Sequence, residues 1–440
     1  MKRIHLIAIG GAIMHNLAIA LKRKGHHVTG SDDAIYDPAK TNLKENDLLP
    51  QIGWNEDVIT SDIDVVILGM HARKDNPELL KAKHLGLKIM SFPEFIAAES
   101  IGKKRVVIAG SHGKTTTTAM IMFVLSNMNV DFDYLVGSSI NGFELSVKIS
   151  DAPLIIIEGD EYLSSPLDLR SKFLWYNPHI SIITGVAYDH INVFPTFDLY
   201  LDTFQKYMNS HVTKGHFFWY KNDVHLQKLV QETTTLNRAY DTPEYKNTPD
   251  GSEIFHEGSW YPLKIVGKHN LENLHVAQLV CAELGISGRE FYAAISNFTG
   301  AGKRMEKIFD KNGHVVYRDF AHSPSKLKAT TDAIKESYNG TLLAVFELHT
   351  FSSLTREFIP LYKNAMDAAD HAIVFYNDAV FEHKKMEYIE SSFVKKCFGA
   401  VSIINSKIEL EKIVNRSFEN GDNILLMSSG TFQKASFHFY

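Results

Sequence analysis

The segment that most constrains the fold is an apolar run that breaks into a glycine turn and then into a long apolar helix. The run is Val106–Ala109, the turn is Gly110–Gly113, and Lys114-Thr115 opens a helix predicted over Thr116–Met128. A strand, a glycine-bearing turn, Lys-Thr and a helix in this order are typical of a phosphate loop, in which backbone N–H groups bind anionic oxygens. The usual loop opens with a glycine where Ile108 stands, so we expect a shortened variant.

The loop predicts a nucleoside triphosphate ligand, ATP or GTP. Lys114 would reach the β- and γ-phosphates, and the Thr115 hydroxyl could hold Mg²⁺. We expect the Lys114 side chain to be exposed, because a lysine that reaches for a ligand supports no core. A Gly-Lys-Thr after a strand can also arise by chance, but the flanking strand and helix argue against that alternative. The expected ATP-binding residues of the loop are Gly110, Ser111, His112, Gly113, Lys114, Thr115 and Thr116.

Length and composition predict an ordinary globular chain of several domains. The chain has 440 residues, of which 45% are hydrophobic and 22% are charged, which favours about three domains. A net charge of −5 and the lack of a Lys/Arg-rich tract argue against nucleic acid as a partner. Cys281 and Cys397 lie far apart without a CxxC pattern, which indicates a reducing compartment and no disulfide framework.

The N-terminus could be mistaken for a signal peptide, since Met1-Lys2-Arg3 precedes apolar residues. His5, His15 and Asn16 interrupt that run, and Lys22-Arg23-Lys24 follows without a small-residue cleavage site. We interpret the segment as a strand, a glycine loop and a helix. No apolar stretch is long enough to span a bilayer, so we expect no membrane insertion and a cytoplasmic location.

Strand-like apolar runs alternate with helical patterns almost throughout, which predicts an α/β fold with parallel sheets covered by helices. We expect three domains: a Rossmann-like domain over 1–98, a central phosphate-loop domain over 99–297 and a C-terminal Rossmann-like domain over 298–440. Residues from about 211 to 261 are polar and are expected to form strands and loops at a domain edge. The expected helices include Ala12–Lys24, Pro77–Leu85, Leu271–Leu284, Pro324–Tyr338, Arg356–Ala368 and Lys407–Ser417.

The first domain carries part of a dinucleotide-binding pattern. Gly10-Gly11 ends a predicted strand, and Ser31-Asp32 ends the next one, about 20 residues later. Met14 and His15 stand near the place where a third glycine would complete the pattern. The pattern predicts a nucleotide diphosphate at the N-terminus of the first helix, and a plain tight turn between strand and helix stays open as the alternative.

Carboxylates follow a buried strand in the central domain. Leu154–Ile157 delivers Glu158 at its end, and Asp160 and Glu161 follow. Hard cations take oxygen ligands, so a carboxylate beside a phosphate loop favours Mg²⁺, although acid clusters at strand ends are often only solvated. His190 follows the next predicted strand and by itself would more often be a surface residue than a metal ligand.

Two asparagines lie on one face of the helix that Gly267-Lys268 opens. Asn270 and Asn273 are three residues apart, and an amide side chain offers the donor and acceptor groups that suit a purine edge. An asparagine N-cap is the alternative reading of this pattern.

Taken in order, these motifs resemble those of the Mur ligases, ATP-dependent enzymes of bacterial peptidoglycan synthesis that join an amino acid or a peptide to a UDP-muramyl carboxylate. The resemblance covers essentially the whole chain. The motifs that carry it are Gly10-Gly11 with Ser31-Asp32, Ala109–Thr118, Glu158–Glu161, Asp189-His190, Gly267–Asn273, Phe298–Arg304 and Asp319–Pro324. The chain departs from the family at Ser323, where the alanine ligases carry a second histidine, and at Thr184-Gly185, where relatives carry an asparagine.

The resemblance implies roles for individual residues. Lys114, Glu158 and His190 would be catalytic, with Thr115 and Glu158 on one Mg²⁺ and His190 on a second. Besides the loop, Asn270 and Asn273 would bind the adenine of ATP, Arg304 its phosphates and Asp319 its ribose. The UDP-sugar would be bound by Gly11, Ser31, Asp32 and His71, and the amine substrate by His322 and His349.

Within the family, four segments resemble the branch that attaches the murein tripeptide L-alanyl-γ-D-glutamyl-meso-diaminopimelate to UDP-N-acetylmuramate in peptidoglycan recycling. They are Ser31–Pro38, Asp160–Tyr162, Arg170–Phe173 and Met427–Gly430. The nearest alternative is the branch that attaches L-alanine during synthesis. Alanine ligases carry arginines at the positions of Thr350 and Ser353, so the resemblance favours the peptide.

Two other classes of protein compete with a ligase. An NAD-dependent oxidoreductase would use the first glycine loop and Asp32, but it leaves the phosphate loop unexplained. A nucleotide-regulated binding module, or a ligase-like protein without activity, would use the phosphate loop without group transfer.

Overall fold

The computed structural model describes residues 1–190, 193–248, 250–302, 304–311 and 313–440. By their contacts these residues group into two compact units. The first unit contains residues 1–186 and 193–240, and the second contains the described residues within 187–192 and 241–440. The predicted boundaries at 98/99 and 297/298 stay predictions.

The first unit begins with a four-stranded parallel sheet in the order β2-β1-β3-β4, covered by helices. Its elements are β1 (Arg3–Ile7), α1 (Ala12–Arg23), β2 (His27–Ser31), α2 (Ala39–Glu45), β3 (Val65–Leu68), α3 (Pro77–His84), β4 (Ile89–Ser91) and α4 (Phe92–Glu99). α4 was not expected. It begins at a capping box, in which Ser91 and Glu94 satisfy each other's backbone N–H groups.

A seven-stranded sheet forms the rest of the first unit, in the order β11-β10-β9-β5-β8-β6-β7, and all its neighbouring strands are parallel except β6 and β7. Its elements are β5 (Lys104–Ala109), α5 (Lys114–Asn127), β6 (Asp133–Leu135), β7 (Val147–Lys148), β8 (Leu154–Glu158), β9 (Ile180–Ile183), α6 (Phe197–Met208), β10 (His216–Tyr220), α7 (Val224–Leu229) and β11 (Leu236–Tyr240). The last four residues of β5 and the first four of β8 are buried, as expected for central parallel strands.

Helix α1 is tied to the chain just before β7. The backbone N–H of Ser146 donates to Asn16 Oδ1 over 3.1 Å. At the other end of the helix, the Arg23 guanidinium makes two hydrogen bonds, of 2.9 and 2.6 Å, to the Glu144 carboxylate. The two sheets of the first unit are therefore joined by side-chain contacts as well as by the chain.

The second unit begins with a three-stranded antiparallel sheet, β12 (Tyr245–Thr248), β13 (Gly251–His256) and β14 (Ser259–Leu263), followed by α8 (Lys268–Glu283) and α9 (Gly288–Ile295). A six-stranded sheet in the order β15-β16-β20-β17-β18-β19 follows, antiparallel only between β15 and β16. Its elements are β15 (Glu306–Lys311), β16 (His314–Asp319), α10 (Pro324–Ser337), β17 (Leu342–Glu347), β18 (His371–Phe375), α11 (Ala379–Lys384), α12 (Ser391–Phe398), β19 (Ser402–Ile404), α13 (Lys407–Glu419) and β20 (Asn423–Met427).

The α/β fold is confirmed, and most predicted elements lie within a few residues of their expected bounds. The helix expected over 356–368 is wrong. The structure has short 3₁₀ helices at Ser352–Leu354 and Ile359–Tyr362, separated by turns. Pro360 cannot donate the hydrogen bond that an α-helix needs, and Asn364 adopts a left-handed φ of +61°, so the segment cannot continue as one helix.

In the part of the chain that the structure describes, none of the helices combines the length and the apolar character that crossing a bilayer would need.

Candidate functional site

The phosphate loop is braced by the end of the neighbouring strand β9. Gly110 has a φ of +123°, and a Cβ there would lie 2.2 Å from Thr184 Oγ1 and 2.8 Å from the Thr184 nitrogen. The Thr184 hydroxyl donates to the carbonyl of His112, and the Gly185 carbonyl accepts from the Ser111 N–H over 2.9 Å. The Thr184-Gly185 departure from the family pattern thus fixes the shape of this shortened loop.

Lys114 is largely, though not fully, buried at the start of α5, and the expectation that it is exposed is wrong. Its side chain is 14% exposed, and its ammonium donates to the Gly110 carbonyl over 2.6 Å and to Glu161 over 2.7 Å. Burial by itself lowers the pKa of Lys114, but the carboxylates of Glu161 and Asp160 outweigh it and raise that pKa. The ammonium is therefore charged at neutral pH, as a group that binds phosphate must be.

Thr115 and Glu158 meet at the C-terminal edge of the seven-stranded sheet. The Thr115 hydroxyl donates to Glu158 Oε1 over 2.8 Å, and the other carboxylate oxygen accepts from the Gly137 N–H over 3.0 Å. A hydroxyl and a carboxylate at this distance, next to a loop of backbone N–H groups, are hard oxygen donors that fit Mg²⁺ beside a triphosphate.

A second lysine lies close to the same strand end. The Lys172 ammonium donates to Asp160 Oδ2 over 2.6 Å and lies 5.5 Å from the ring centroids of both Phe92 and Tyr162. The sequence analysis named the Arg170–Phe173 segment for its resemblance to other proteins, but it did not predict that Lys172 pairs with Asp160. Asp160 and Glu161, the two acids that follow Glu158, thus each hold a different lysine.

The glycine loop of the first sheet is held by Asp32. One oxygen of this carboxylate accepts from the Gly10 N–H over 2.7 Å, and the other accepts from the Asp33 N–H over 2.9 Å. Burial raises the pKa of Asp32. Gly11 is the N-cap of α1. The Ser31 carbonyl accepts hydrogen bonds from the backbone N–H groups of Ala8 and Ile9.

The structure thus brings Gly11, Ser31 and Asp32 together. His71, the weaker candidate, is exposed three residues after β3, which pairs with β1. His15, which the sequence did not place in the site, donates from Nδ1 to the Gly11 carbonyl over 2.8 Å and so fixes the start of α1.

In the second unit, Asn270 and Asn273 are both buried in the first turns of α8. The Asn270 amide donates to the Val266 carbonyl over 2.9 Å. Gly267 precedes the helix with a φ of +91°, and a Cβ there would lie 2.7 Å from the Ala333 Cβ. Close packing of α10 against this turn therefore requires the glycine.

Asp319 ends β16 with both carboxylate oxygens engaged by the protein. Oδ1 accepts from the Met305 N–H over 2.7 Å, and Oδ2 accepts from the Ala321 N–H over 3.0 Å. Arg304 lies beside this strand end, with its guanidinium carbon 5.1 Å from the Phe320 ring centroid. In this structure Asp319 therefore organises the loop that carries Arg304.

His322 and Asp189 are neighbours in the second unit. The Nδ1–H of His322 donates to the Phe320 carbonyl over 2.8 Å, and burial, helped by Lys326, lowers the pKa of His322 to about 3. Burial favours a raised pKa for Asp189, but His190 and Lys326 outweigh it and lower that pKa. At neutral pH Asp189 is therefore a carboxylate and His322 is uncharged.

The loops after β17 and β20 meet at Glu347. One oxygen of this buried carboxylate accepts from the Ser428 hydroxyl and, over 2.8 Å, from the Phe432 N–H. A Cβ on Gly430 would lie 3.0 Å from the ring of His349, so His349 borders this junction. Thr350 and Ser353 close a turn on each other, because the Ser353 N–H donates to Thr350 Oγ1 over 3.1 Å and its hydroxyl donates to the Thr350 carbonyl over 2.9 Å.

Comparison with known proteins identifies the family. Sequence profiles of three domains match the chain in order: "Mur ligase family, catalytic domain" over residues 3–103, "Mur ligase middle domain" over 108–281 and "Mur ligase, glutamate ligase domain" over 303–430. The chain belongs to the Mur ligase family. It is therefore an ATP-dependent amide-bond ligase of the kind that builds peptidoglycan.

Relatives of this Mur ligase include two kinds of enzyme. The UDP-N-acetylmuramate–L-alanine ligase of Caldicellulosiruptor bescii is 32% identical over 390 residues, which cover 85% of this chain and 83% of the relative. The UDP-N-acetylmuramate–L-alanyl-γ-D-glutamyl-meso-2,6-diaminoheptandioate ligase of Haemophilus influenzae is 27% identical over 447 residues, covering 98% and 97%. Similarity alone does not choose between an amino acid and a peptide acceptor.

A solved structure of a murein peptide ligase from Psychrobacter arcticus has the same fold. Its TM-score is 0.69 at 23% identity, and the match covers 99% of this chain and 97% of that one.

The candidate residues of this Mur ligase fall into two groups. Lys114, Thr115 and Glu158 lie together in the first unit, which also holds the loop of Gly11, Ser31 and Asp32. The second unit holds Asn270, Asn273, Arg304, Asp319, His322 and His349, and His190 groups with it by its contacts. The sequence did not predict the pairing of Lys172 with Asp160, because no local pattern links the two residues.

Proposed function

We propose that this Mur ligase joins the murein tripeptide L-alanyl-γ-D-glutamyl-meso-diaminopimelate to the lactyl carboxylate of UDP-N-acetylmuramate during peptidoglycan recycling. The observation that carries the choice of a peptide is the turn at Thr350 and Ser353. Alanine ligases carry arginines at these positions, and a guanidinium there suits a small amino-acid carboxylate, since it can bind both oxygens. Here Ser353 is buried, and both side chains are used within the turn.

The alternative is that Arg318 or Arg356 replaces those arginines. Arg318 pairs with Glu306 over 2.8 Å, and Arg356 pairs with Glu390 over 2.8 Å and lies over the Phe393 ring. Each guanidinium therefore already has a carboxylate partner in the second unit. Among the residues that the structure describes, these two pairings argue against Arg318 or Arg356 as a clamp for free alanine, which favours a longer substrate.

The reaction transfers the γ-phosphoryl group of ATP to the lactyl carboxylate, because a carboxylate is a poor acyl acceptor. The resulting acyl phosphate is attacked by the amine of the peptide, and phosphate leaves. Lys114 neutralises charge on the transferred group, and transfer depends chiefly on position and on this neutralisation. Thr115, Glu158 and His190 would hold Mg²⁺, which supplies further charge neutralisation at the phosphates.

The remaining candidate residues bind and orient the substrates. The loop of Gly110–Thr116 takes the triphosphate through backbone N–H groups. Asn270 and Asn273 take the adenine, and Arg304 and Asp319 take the phosphate and ribose end. Gly11, Ser31, Asp32 and His71 take the UDP-sugar, and His322 and His349 take the amine substrate. We assign the reaction to the cytoplasm, where the free thiols of Cys281 and Cys397 are stable.

A UDP-N-acetylmuramate–L-alanine ligase is the second candidate, and the 32% identity to the C. bescii enzyme favours it. The test is phosphate release from ATP in the presence of Mg²⁺, UDP-N-acetylmuramate and either the tripeptide or free L-alanine. We expect a higher kcat/KM with the tripeptide. A higher kcat/KM with L-alanine would make the alanine ligase correct. Lys114→Ala is the inactive control, and release that ignores UDP-N-acetylmuramate would contradict both candidates.

A further inference from the structure

Four side chains of the first unit form a chain of hydrogen bonds around the phosphate loop. Tyr200, fully buried on α6, donates its hydroxyl to Glu161 Oε1 over 3.0 Å, and Glu161 Oε2 accepts from Lys114 over 2.7 Å. The Tyr200 oxygen also lies 2.8 Å from Ser111 Oγ. A phenol carries a single hydrogen, so Ser111 is the donor in that bond. Tyr200 thus connects the loop at Ser111 to the carboxylate that holds Lys114.

The bonds of Lys114 leave room for a ligand. An ammonium has three N–H groups, and two of them go to Gly110 and Glu161. Among the described residues the third N–H has no partner, so it is available to a phosphate oxygen and Lys114 can bind nucleotide without leaving Glu161. Because Glu161 is only 1% exposed, its bonds act in a low local dielectric, where a hydrogen bond to a charged group is strong.

We propose that Tyr200 is a positioning residue for phosphoryl transfer, which holds Lys114 in place through Glu161 and the phosphate loop in place through Ser111. The proposal rests on the proposed role of Lys114 at the γ-phosphate. A lysine that is already fixed where charge develops needs no reorganisation during the reaction, and this is what makes such groups effective. Tyr200 touches no reacting atom in this assignment and acts only through its partners.

The variant Tyr200→Phe removes the hydroxyl and keeps the ring, so it tests the contribution of the hydroxyl alone. Phe194, Phe197 and Phe204 pack against the Tyr200 ring, with centroids 5.1, 6.3 and 5.2 Å away, and phenylalanine keeps these contacts. We expect kcat to fall about 10- to 100-fold, the equivalent of one hydrogen bond to a charged group. The affinity for ADP should change less than about threefold, because the loop N–H groups remain.

The preference for ATP over ADP gives a readout that does not depend on turnover. Since Lys114 is assigned to the γ-phosphate, Tyr200→Phe should reduce the ratio of ATP to ADP affinity, measured with fluorescent analogues of both nucleotides. The matched control is Tyr207→Phe, which removes the hydroxyl of another fully buried tyrosine on α6. Tyr207 stacks on Phe173 at 4.3 Å, a contact that phenylalanine retains, so kcat and both affinities should stay within about twofold.

Glu161→Gln is the second variant and guards against a folding defect in the first. It keeps the shape of the side chain and removes the charge beside Lys114, so we expect the same loss of kcat. The midpoint of the Mg²⁺ titration, which is the Mg²⁺ concentration that gives half-maximal turnover, should not change. A large shift of that midpoint would instead make Glu161 a metal ligand and would overturn the proposal. Wild-type kcat in folded Tyr200→Phe, or an equal loss in Tyr207→Phe, would also overturn it. Wild-type enzyme without UDP-N-acetylmuramate-dependent turnover would refute the proposed function, while the nucleotide affinities would still test Tyr200.

Discussion

Replacing Gly110 with alanine should damage both the stability and the activity of the enzyme. The new Cβ would lie 2.2 Å from Thr184 Oγ1 and 2.8 Å from the Thr184 backbone nitrogen. Thr184 cannot turn away easily, because its side chain is β-branched and its hydroxyl donates to the His112 carbonyl, with the Ala109 carbonyl 3.2 Å away. The loop must therefore move away from β9.

The size of the effect follows from two terms. A non-glycine residue at a φ of +123° costs about 1–3 kcal/mol in the free energy of folding. Forcing an extra methyl into a packed site costs a further 1–3 kcal/mol, roughly. Restoring ordinary contact needs a shift of about 1 Å in the loop, and a displacement of that size can lower turnover about 100-fold.

Gly102→Ala is the matched control. Gly102 also has a positive φ, of +83°, but a Cβ there would meet nothing within 4 Å. Both variants place a side chain at a positive φ and have the same effect on the unfolded chain, so their difference contains the steric term plus the extra backbone cost of a φ of +123° over one of +83°. Denaturant titration gives the free energy of unfolding, and phosphate release gives turnover. The reasoning is refuted if Gly110→Ala unfolds within about 0.5 kcal/mol of Gly102→Ala and keeps its turnover.

Two further predictions concern histidines. His190→Ala should lower kcat about 100-fold and change the ATP dissociation constant less than about threefold, since Lys114 and Thr115 hold the triphosphate. Steady-state assays measure kcat and nucleotide titration measures affinity. A loss of ATP affinity as large as the loss of kcat would contradict the prediction. His211, whose Nε2 lies 2.8 Å from Ser181 Oγ, has its pKa lowered to about 4 by burial. The unfolded chain therefore binds a proton first as the pH falls, and the free energy of unfolding should drop by about 3 kcal/mol between pH 6.5 and 4. His211→Gln should flatten that part of the stability profile, and an unchanged slope would exclude His211 as its cause.

Sequence patterns were most informative where the chemistry is local. The order of strand, turn and helix at Val106–Met128 predicted β5, the loop and α5, because glycines and runs of apolar residues constrain the local backbone conformation directly. Pro324 likewise marked the first turn of α10, which the structure begins at the same residue. The position of Glu158 beside the loop was predictable because parallel strands bring their C-terminal ends to one edge of a sheet.

Contacts between distant residues were not predictable in the same way. Tyr200 meets residues 39 and 89 positions away, and no local pattern distinguishes its hydroxyl from that of another buried tyrosine. The burial of Lys114 depends on its ion pair with Glu161. The sequence analysis considered Glu161 only as a weaker candidate for a metal ligand. The helix expected over 356–368 had a suitable apolar pattern, but Pro360 and Asn364 prevent it. The apolar periodicity alone takes no account of these two residues.

The order of strands in the seven-stranded sheet has a consequence for synthesis on the ribosome. β5 and the phosphate loop emerge early, but β8 must insert between β5 and β6 before Glu158 can reach Thr115. Thr184 and Tyr200 emerge later still, and until then the nascent loop lacks the two groups that brace it. Domains fold largely as units while the chain is being made. A nascent chain that stops before residue 200 should therefore be unable to retain nucleotide, however complete its phosphate loop.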